Sequence, residues 1–271
     1  MKLTFLGTSS CEGFPALFCN CDGCKAARQL GGINVRTRSQ SLIGDDLLID
    51  FPADTLAHFQ KHGVEGHKIK YVFFTHSHAD HLYVPDLFYR ARPNARNMQA
   101  EILHVYCTKG VYEKIVARGT PKTVEIHRIA PFDTVELDGY LVTALPARHA
   151  EGDEAVIYLI RGDKTILYAH DTGYFLDEVF DYLKENSVVP DLVTYDCAYV
   201  DAPVADTGSH MGIENVRRVA ARLKEMGVVT ENTQQFINHF SHNRAPLQAT
   251  LEAMVQEDNF RVAYDGCTVE L

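Results

Sequence analysis

The stretch from Tyr71 to His81 constrains the fold and chemistry of this chain more than any other part of its sequence. Its first half is a short run of apolar, aromatic and β-branched residues, which predicts a buried strand. Its second half places four candidate metal ligands within six residues: His76, His78, Asp80 and His81. Side chains two residues apart on extended backbone point the same way, so His76 and His78 can face one ion. Because one ion rarely takes four ligands from six consecutive residues, the spacing predicts two metal ions that share the loop.

The His-x-His-x-Asp-His spacing at residues 76–81 resembles the signature of the metallo-β-lactamase fold hydrolases. Surface histidines on a solvated loop are the alternative interpretation, but the position of the motif directly after an apolar strand favours metal binding. The resemblance implies an α/β fold, namely a four-layer αββα sandwich with a one- or two-metal site along one edge of its sheets. It also implies three further ligands downstream, in the order His, Asp and His.

Downstream segments match that order. His149 follows a predicted strand, Asp171 lies in an Asp-Thr-Gly segment after another strand, and His239 follows a short core strand. His170 points to the opposite side of an extended chain from Asp171, so we expect it to support or pack against the ligands. The resemblance implies these ligands: His76, His78 and His149 for one ion, Asp80, His81 and His239 for the other, and Asp171 bridging both.

Cys19, Cys21 and Cys24 lie within six residues of a polar segment. The spacing Cys-x-Cys-x-x-Cys lets three thiolates converge on one ion, which predicts a structural zinc site; three small buried cysteines are the alternative. Three thiolates need a fourth ligand, and His242, three residues after His239, is the best candidate for a closed Cys₃His site. Such a zinc ion would hold the N-terminal loop beside the catalytic edge.

A glycine-flanked loop at residues 207–212 carries His210 and leads into a predicted helix. The N-termini of helices suit anions, so His210 is a candidate for contact with the substrate; an exposed histidine in a plain capping loop is the alternative. Related phosphodiesterases carry a histidine in a glycine-rich segment of this kind. That resemblance implies that His210 acts as a general acid or as a clamp on a phosphate, and the predicted catalytic residues are His210 and Asp80.

The cysteine cluster, the His-x-x-His pair at 239–242 and the Ser-His-Met-Gly segment at 209–212 together resemble the phosphoribosyl 1,2-cyclic phosphate phosphodiesterases of phosphonate catabolism. This resemblance implies hydrolysis of a small cyclic phosphate ester, with a phosphorylated sugar as the partner. Two divalent ions of manganese, zinc or iron would activate a hydroxide that attacks phosphorus in line. Hydrolysis of a lactone or a thioester, and RNA processing on the same fold, are the alternatives. An RNA-processing enzyme is expected to carry a basic, protruding insertion, which we do not find in the sequence.

Charge and composition narrow the expected partners. The chain has 36 acidic and 26 basic residues and a formal charge of −10, which argues against non-specific attraction to nucleic acid or to an anionic membrane. No stretch approaches the length of a membrane span and the first apolar run is too short for a signal peptide, so we expect a cytoplasmic protein.

The odd count of seven cysteines favours reduced thiols or metal ligands. We see no linker and expect one hydrolase domain over 1–271 that includes the zinc knuckle of 19–24 and 242; a homodimer is left open.

The remaining pattern predicts elements around these motifs. A strand is expected at 2–6, and a hairpin at 39–51 around the turn Gly44-Asp45-Asp46. Asp54 is predicted to cap a helix that ends near Gly63. The chain is expected to close with a helix at 246–256 and a final strand at 260–264.

Overall fold

Two β-sheets packed face to face form the centre of the computed structural model, which describes residues 1–149 and 152–271. The strands are β1 (Lys2–Gly7), β2 (Gln40–Ile43), β3 (Leu47–Ile49), β4 (Tyr71–Phe73), β5 (Leu103–Cys107), β6 (Val124–Arg128), β7 (Thr134–Leu137), β8 (Tyr140–Pro146), β9 (Val156–Arg161), β10 (Thr165–Ala169), β11 (Leu192–Asp196), β12 (Gln234–Asn238), β13 (Arg261–Val262) and β14 (Cys267–Glu270). The first sheet has the order β14-β1-β2-β3-β4-β5-β6, and the second has the order β13-β12-β11-β10-β9-β8-β7.

The chain forms seven helices among the described residues; the first packs on the N-terminal loop, and the others pack against the outer faces of the two sheets. The helices are α1 (Asp22–Leu30), α2 (Thr55–His62), α3 (Val84–Leu87), α4 (Lys109–Arg118), α5 (Asp177–Glu185), α6 (Ile213–Glu225) and α7 (Gln248–Met254). Short 3₁₀ turns occur at Gly32–Asn34, Gly66–Lys68, Phe88–Arg90 and His242–Arg244. Among the described residues, no helix combines the length and the apolar character that crossing a membrane would require.

Each sheet combines an antiparallel half with a parallel half, and the parallel halves position the chemistry. In the first sheet β3, β4, β5 and β6 run parallel, and in the second sheet β10, β11, β12 and β13 do so. Parallel neighbours deliver their carboxyl ends to the same edge of a sheet. The loops after β3, β4, β10, β11 and β12 therefore open at the edge where ligands are bound in open α/β sheets.

The hydrophobic core has three layers: one between the two sheets, and one between each sheet and its helices. Because side chains alternate between the two faces of a strand, each sheet contributes to two of these layers. Phe5, Phe73 and Tyr168 belong to the cluster between the two sheets. Val72 and Val111 belong to the cluster between the first sheet and its helices, and a third cluster lies between the second sheet and α5, α6 and α7. The prediction of a four-layer αββα sandwich is confirmed.

The hairpin at 39–51 is also confirmed, because β2 and β3 pair antiparallel around the predicted turn. The prediction for α2 is confirmed in position, because Asp54 is its N-cap residue and Gly63 its C-cap residue. The carboxylate of Asp54 makes no capping hydrogen bond, however, and instead accepts the backbone N–H of Arg38 at 3.0 Å. The final strand was misplaced. Residues 261–262 form the short β13, and the chain then crosses to the first sheet, where β14 pairs with β1.

Candidate metal centre

The motif loop of residues 76–81 begins directly after the buried end of β4. Its first turn is held by Asp50, a 1 % exposed carboxylate at the end of β3. Asp50 Oδ1 accepts the backbone N–H of Thr75 at 2.8 Å, and Oδ2 accepts the Thr75 hydroxyl at 2.9 Å. Oδ2 also lies 2.7 Å from His81 Nδ1. One buried carboxylate therefore fixes both ends of the loop.

His76, His78 and His149 come together as one group at the start of this loop. The ring centroid of His76 is 4.5 Å from that of His78 and 4.5 Å from that of His149. His149 Nε2 lies 3.2 Å from His78 Nδ1, and its Nδ1 lies 3.1 Å from the carbonyl oxygen of Ser209. The Ser209 carbonyl can accept only from a protonated Nδ1, which leaves the lone pair of His149 on Nε2.

Asp80, His81 and His239 form a second group beside the first. His81 Nε2 is 3.2 Å from Asp80 Oδ2 and 3.2 Å from Asp171 Oδ2, and His239 Nε2 is also 3.2 Å from Asp171 Oδ2. The other oxygen of Asp171 lies 3.6 Å from His149 Nε2. Asp171 therefore contacts both groups. The structure brings all seven residues that the resemblance implied as ligands into one cluster.

Two of these residues have left-handed backbone, with φ of +50° at Asp171 and +64° at His239. This conformation is uncommon for residues other than glycine and costs free energy. His239 directly follows β12, and Asp171 is the second residue after β10, so both lie where a parallel strand ends. The two strained residues lie in the cluster where loops of both sheets bring potential metal ligands together.

Burial and charge set the protonation of the cluster. Burial lowers the pKa of His76 well below its ordinary value, with neighbouring imidazoles adding to the effect. Burial alone would also lower the pKa of His81, but Asp171, Asp50 and Asp80 surround the ring and together raise it well above its ordinary value. Burial opposes ionisation of Asp171, yet the nearby rings of His239, His81 and His149 keep its pKa below the usual carboxyl value.

Unpartnered polar atoms show that this donor set fits divalent metal ions. His76 Nε2, His81 Nε2, His239 Nε2 and Asp171 Oδ2 are all buried without a hydrogen-bond partner. Buried polar atoms are normally partnered, and leaving several together is costly. Imidazole nitrogens with carboxylate oxygens are the donors that zinc, manganese and iron accept. A cation among these atoms would supply the missing partner of each.

His210 reaches the same cluster from the loop before α6. Its Nδ1 lies 2.8 Å from Asp196 Oδ2, its ring stacks on that of His239 with centroids 5.4 Å apart, and its centroid is 4.7 Å from that of His149. Burial lowers the pKa of His210, but the adjacent Asp196 outweighs it and raises the pKa to about 9. His210 is therefore a protonated ring at the edge of the metal cluster near neutral pH.

The three cysteine sulfurs of the predicted knuckle lie within 4.8 Å of one another at the N-terminus of α1. Each sulfur accepts a backbone N–H, at 3.4 Å for Cys24 and 3.5 Å for Cys19 and Cys21. The hydrogen bond from the backbone N–H of Cys24 is the main cause that lowers the pKa of Cys21 to about 7, which favours the thiolate form that binds metal. His242 lies in a turn that packs on α1, and its Nδ1 lies 2.8 Å from Glu12 Oε1, so Nε2 remains for a metal. Its role as the fourth ligand stays a prediction.

The model of one protein family, described as a beta-lactamase superfamily domain, matches residues 46–230. The chain belongs to the beta-lactamase superfamily. The match covers more than half of the chain and includes the motif loop, His149, Asp171 and His210.

Other comparisons agree with this superfamily assignment. Ribonuclease Z from Myxococcus xanthus (strain DK1622) is 31 % identical over 155 residues, which are 55 % of this chain and 44 % of that protein. This chain therefore aligns with less than half of the relative's length. A crystal structure of a diphosphatase from the PhnP family superposes with a TM-score of 0.75 at 22 % identity, over 100 % of this chain and 97 % of the other. Zinc-bound PqqB from Methylobacterium extorquens superposes with a TM-score of 0.76 at 19 % identity, over the full length of both chains. At these identities the two structures establish the metallo-β-lactamase fold.

Sequence reasoning missed Asp50 and Asp196. Asp196 is fully buried at the end of β11, where Oδ1 accepts the backbone N–H groups of Ala198 and Met211 and Oδ2 lies 3.3 Å from His239 Nδ1. A usable signal was present, because each aspartate ends an apolar run that becomes a parallel strand of this superfamily fold. Polar residues at that position lie at the ligand-binding edge of a parallel sheet.

Proposed function

We propose that the protein is a metal-dependent hydrolase that cleaves phosphodiesters, with a small cyclic phosphate ester such as phosphoribosyl 1,2-cyclic phosphate as its natural substrate. The observation that carries this proposal is the cluster of buried, unpartnered imidazole and carboxylate atoms at the edge of both sheets, with a protonated histidine beside it. Phosphodiesters need both charge neutralisation at phosphorus and a proton for the departing oxygen. The cluster and His210 supply groups suited to these two tasks.

The proposed ligands follow the two groups of side chains. One divalent ion would be held by His76, His78 and His149, a second by Asp80, His81 and His239, and Asp171 would contact both. Manganese, zinc and iron suit this donor set, and zinc suits Cys19, Cys21, Cys24 and His242. When bound, the catalytic ions would lower the pKa of a water molecule and withdraw charge from the phosphoryl oxygens.

His210 is proposed as the general acid. Its Nδ1 faces Asp196 Oδ2 at 2.8 Å, so this nitrogen donates a hydrogen bond to the carboxylate and the protonated ring presents Nε2–H to the substrate. With a pKa of about 9 the ring carries that proton near neutral pH and can deliver it to the departing sugar oxygen. Asp196 acts through His210, because it fixes the tautomer and stabilises the charged ring.

A substrate panel tests the proposed reaction. The purified protein, loaded with manganese or zinc, is assayed with bis-p-nitrophenyl phosphate and phosphoribosyl 1,2-cyclic phosphate, and in parallel with a lactone and a glutathione thioester. We expect turnover of the phosphodiesters. Robust turnover of the lactone or the thioester with silent phosphodiesters would refute the assignment.

Variants of the same protein separate metal binding from proton transfer. Asp171→Ala should lose bound metal and activity together, because its carboxylate contacts both ligand groups. His210→Ala should keep its metal content and lose kcat/KM for the natural substrate by roughly 10²–10⁴-fold, the usual contribution of a general acid. An unchanged kcat/KM in His210→Ala would refute its proposed role.

Processing of RNA is a second candidate, favoured by the 31 % identity to Ribonuclease Z. The formal charge of −10 opposes it, because RNA binding relies on basic surfaces. Incubation with a precursor tRNA that carries a 3′ trailer distinguishes the two. Cleavage at the 3′ end at a rate exceeding that on the cyclic phosphate would favour this second candidate.

A further inference from the structure

A separate group of potential metal ligands lies at the rim of the first sheet. His104 stands at the start of β5 and is paired directly with Glu125 of β6, while His127 is paired with Tyr106. Because side chains alternate along a strand, these residues share one face of the sheet, the face that Tyr106 presents to the interior. His104, Glu125 and His127 are called the rim cluster below.

The rim cluster is distant from the metal centre. His104 is paired with Tyr71 at the beginning of β4, whereas the motif loop follows the other end of that strand. His76 is five positions after Tyr71, which corresponds to roughly 16 Å at the rise of an extended chain. The side chains of His104 and Glu125 are 34 % and 55 % exposed, so solvent and ions reach the cluster directly.

Its internal distances repeat those of the metal centre. His104 Nδ1 lies 3.1 Å from His127 Nε2 and 3.6 Å from Glu125 Oε2. In the metal centre, His149 Nε2 lies 3.2 Å from His78 Nδ1 and 3.6 Å from Asp171 Oδ1. Two nitrogens that bind one zinc ion at its usual bond length and tetrahedral angle are about 3.3 Å apart. The nitrogen pair of each set therefore has the spacing that one ion requires, and in each set a carboxylate oxygen lies 3.6 Å from one of the two nitrogens.

Aromatic packing holds the rings of the rim cluster in place. The ring of His127 stacks on that of Tyr106, with centroids 4.7 Å apart and 19° between the planes. The ring of His104 lies 6.1 Å from that of Tyr71, at 33°. Burial, together with the neighbouring His104, lowers the pKa of His127, which favours the neutral ring that a metal needs. Little reorganisation is required before an ion binds.

We propose that the rim cluster is a binding site for a divalent transition metal of the zinc, nickel and copper class, separate from the metal centre and from the cysteine knuckle. His104 Nδ1, His127 Nε2 and a carboxylate oxygen of Glu125 are its protein ligands, and water completes the coordination. Without a metal, one ring donates an N–H hydrogen bond to the nitrogen of the other. When an ion binds, the donor ring changes tautomer and carries its proton on its other nitrogen, so that both facing nitrogens offer a lone pair. Since β6 is an edge strand, a bound ion would join it to β5 and stabilise the rim of the sheet.

Nickel binding to the intact, zinc-loaded protein tests this site. The protein is first given only the zinc equivalents that the metal centre and the cysteine knuckle take up, so that the rim cluster is free of zinc. It is then dialysed against Ni²⁺, and both bound nickel and retained zinc are counted by elemental analysis. We expect one equivalent of nickel beyond the retained zinc, with an affinity that falls by about tenfold or more in His127→Gln, which lacks one ligand. Ni²⁺ should also raise the Tm of the wild-type protein more than that of the variant.

Two further variants make the result decisive. Glu125→Gln changes an exposed side chain that the fold does not need, and it should also weaken nickel binding. This variant therefore tests the site even if His127→Gln does not fold. His67→Gln removes a 42 % exposed histidine outside the cluster and should bind nickel as the wild type does. Equal nickel binding by Glu125→Gln and the wild type, or no nickel beyond the retained zinc, would overturn the proposal.

Discussion

Asp50 offers the sharpest test of how the chain prepares its metal centre. Its carboxylate lies 2.7 Å from His81 Nδ1 and accepts hydrogen bonds from both the backbone and the hydroxyl of Thr75. When an ion binds, His81 would give up the proton on Nε2 and keep the one on Nδ1 that faces Asp50, so that Nε2 presents a lone pair to the ion beside Asp80 and Asp171. Asp50→Asn keeps the size and shape of the side chain. Asparagine also tolerates the left-handed backbone at this position, where φ is +64°.

The expected magnitude follows from that geometry. In the variant, an amide nitrogen facing His81 would donate to Nδ1 and shift the ring proton to Nε2, where it blocks coordination. Replacing a residue that orients a metal-binding histidine typically costs roughly 10–100-fold in metal affinity or activity, equivalent to about 1.4–2.7 kcal/mol. Loss of a hydrogen bond between charged groups would lower the free energy of unfolding by a similar amount, about 1.5–3 kcal/mol.

The assay compares metal affinity with stability. Apo protein is titrated with zinc against a chromophoric chelator, and urea unfolding is measured on the same samples. Asp265→Asn is the matched control, because this carboxylate is 7 % exposed but accepts its hydrogen bonds from Thr8 and Thr37. We expect both variants to lose stability and only Asp50→Asn to lose metal affinity. If Asp50→Asn bound zinc as tightly as Asp265→Asn, the proposed control of the His81 tautomer would be wrong.

Three other changes test separate parts of the structure. In Gly110→Ala the new Cβ would lie 2.3 Å from Asp153 Oδ1, and because Asp153 Oδ2 accepts the N–H of Ser77 at 2.8 Å, we expect a displaced motif loop and a lower kcat/KM; full activity would show that the loop is held elsewhere. Cys21→Ser should reduce bound zinc by one equivalent and lower the Tm; unchanged zinc by elemental analysis would remove the knuckle as a metal site. Burial lowers the pKa of His58 to about 3. As the pH falls below about 6.5, the ring of His58 therefore gains a proton in the unfolded chain but not in the folded protein. The contribution of His58 to the free energy of unfolding then falls by about 1.4 kcal/mol per pH unit. His58→Asn should flatten urea-unfolding stability between about pH 6.5 and 3, and an equally steep decline would contradict this.

The sequence predicted those parts of the site whose residues are close together in the chain. His76, His78, Asp80 and His81 could be recognised because their ligand types and spacing are local. The remaining ligands were found only through the family resemblance, since a single histidine such as His149 carries little information alone.

What the sequence did not reveal depends on contacts between distant segments. Asp50 lies 31 residues before His81, and Asp196 meets a histidine from another loop. The end of an apolar run marks each aspartate as a residue of the sheet edge, but no local pattern identifies the histidine that it contacts. The same reason explains the misplaced final strand. The short alternating β14 gains its partner only by crossing to β1 in the other sheet. Asp54 does stand at the N-cap of α2, but its carboxylate accepts the backbone N–H of Arg38 from another segment and does not cap the helix.

The metal centre takes its donors from both sheets: the motif loop extends β4 of the first sheet, whereas Asp171 and His239 extend β10 and β12 of the second. A bound ion is therefore also a cross-link between two layers that otherwise meet through apolar side chains. Chelation should loosen both layers together at this one edge. Amide hydrogen exchange would then accelerate at the carboxyl ends of β4, β10 and β12 in concert, while the opposite ends of the same strands keep their protection.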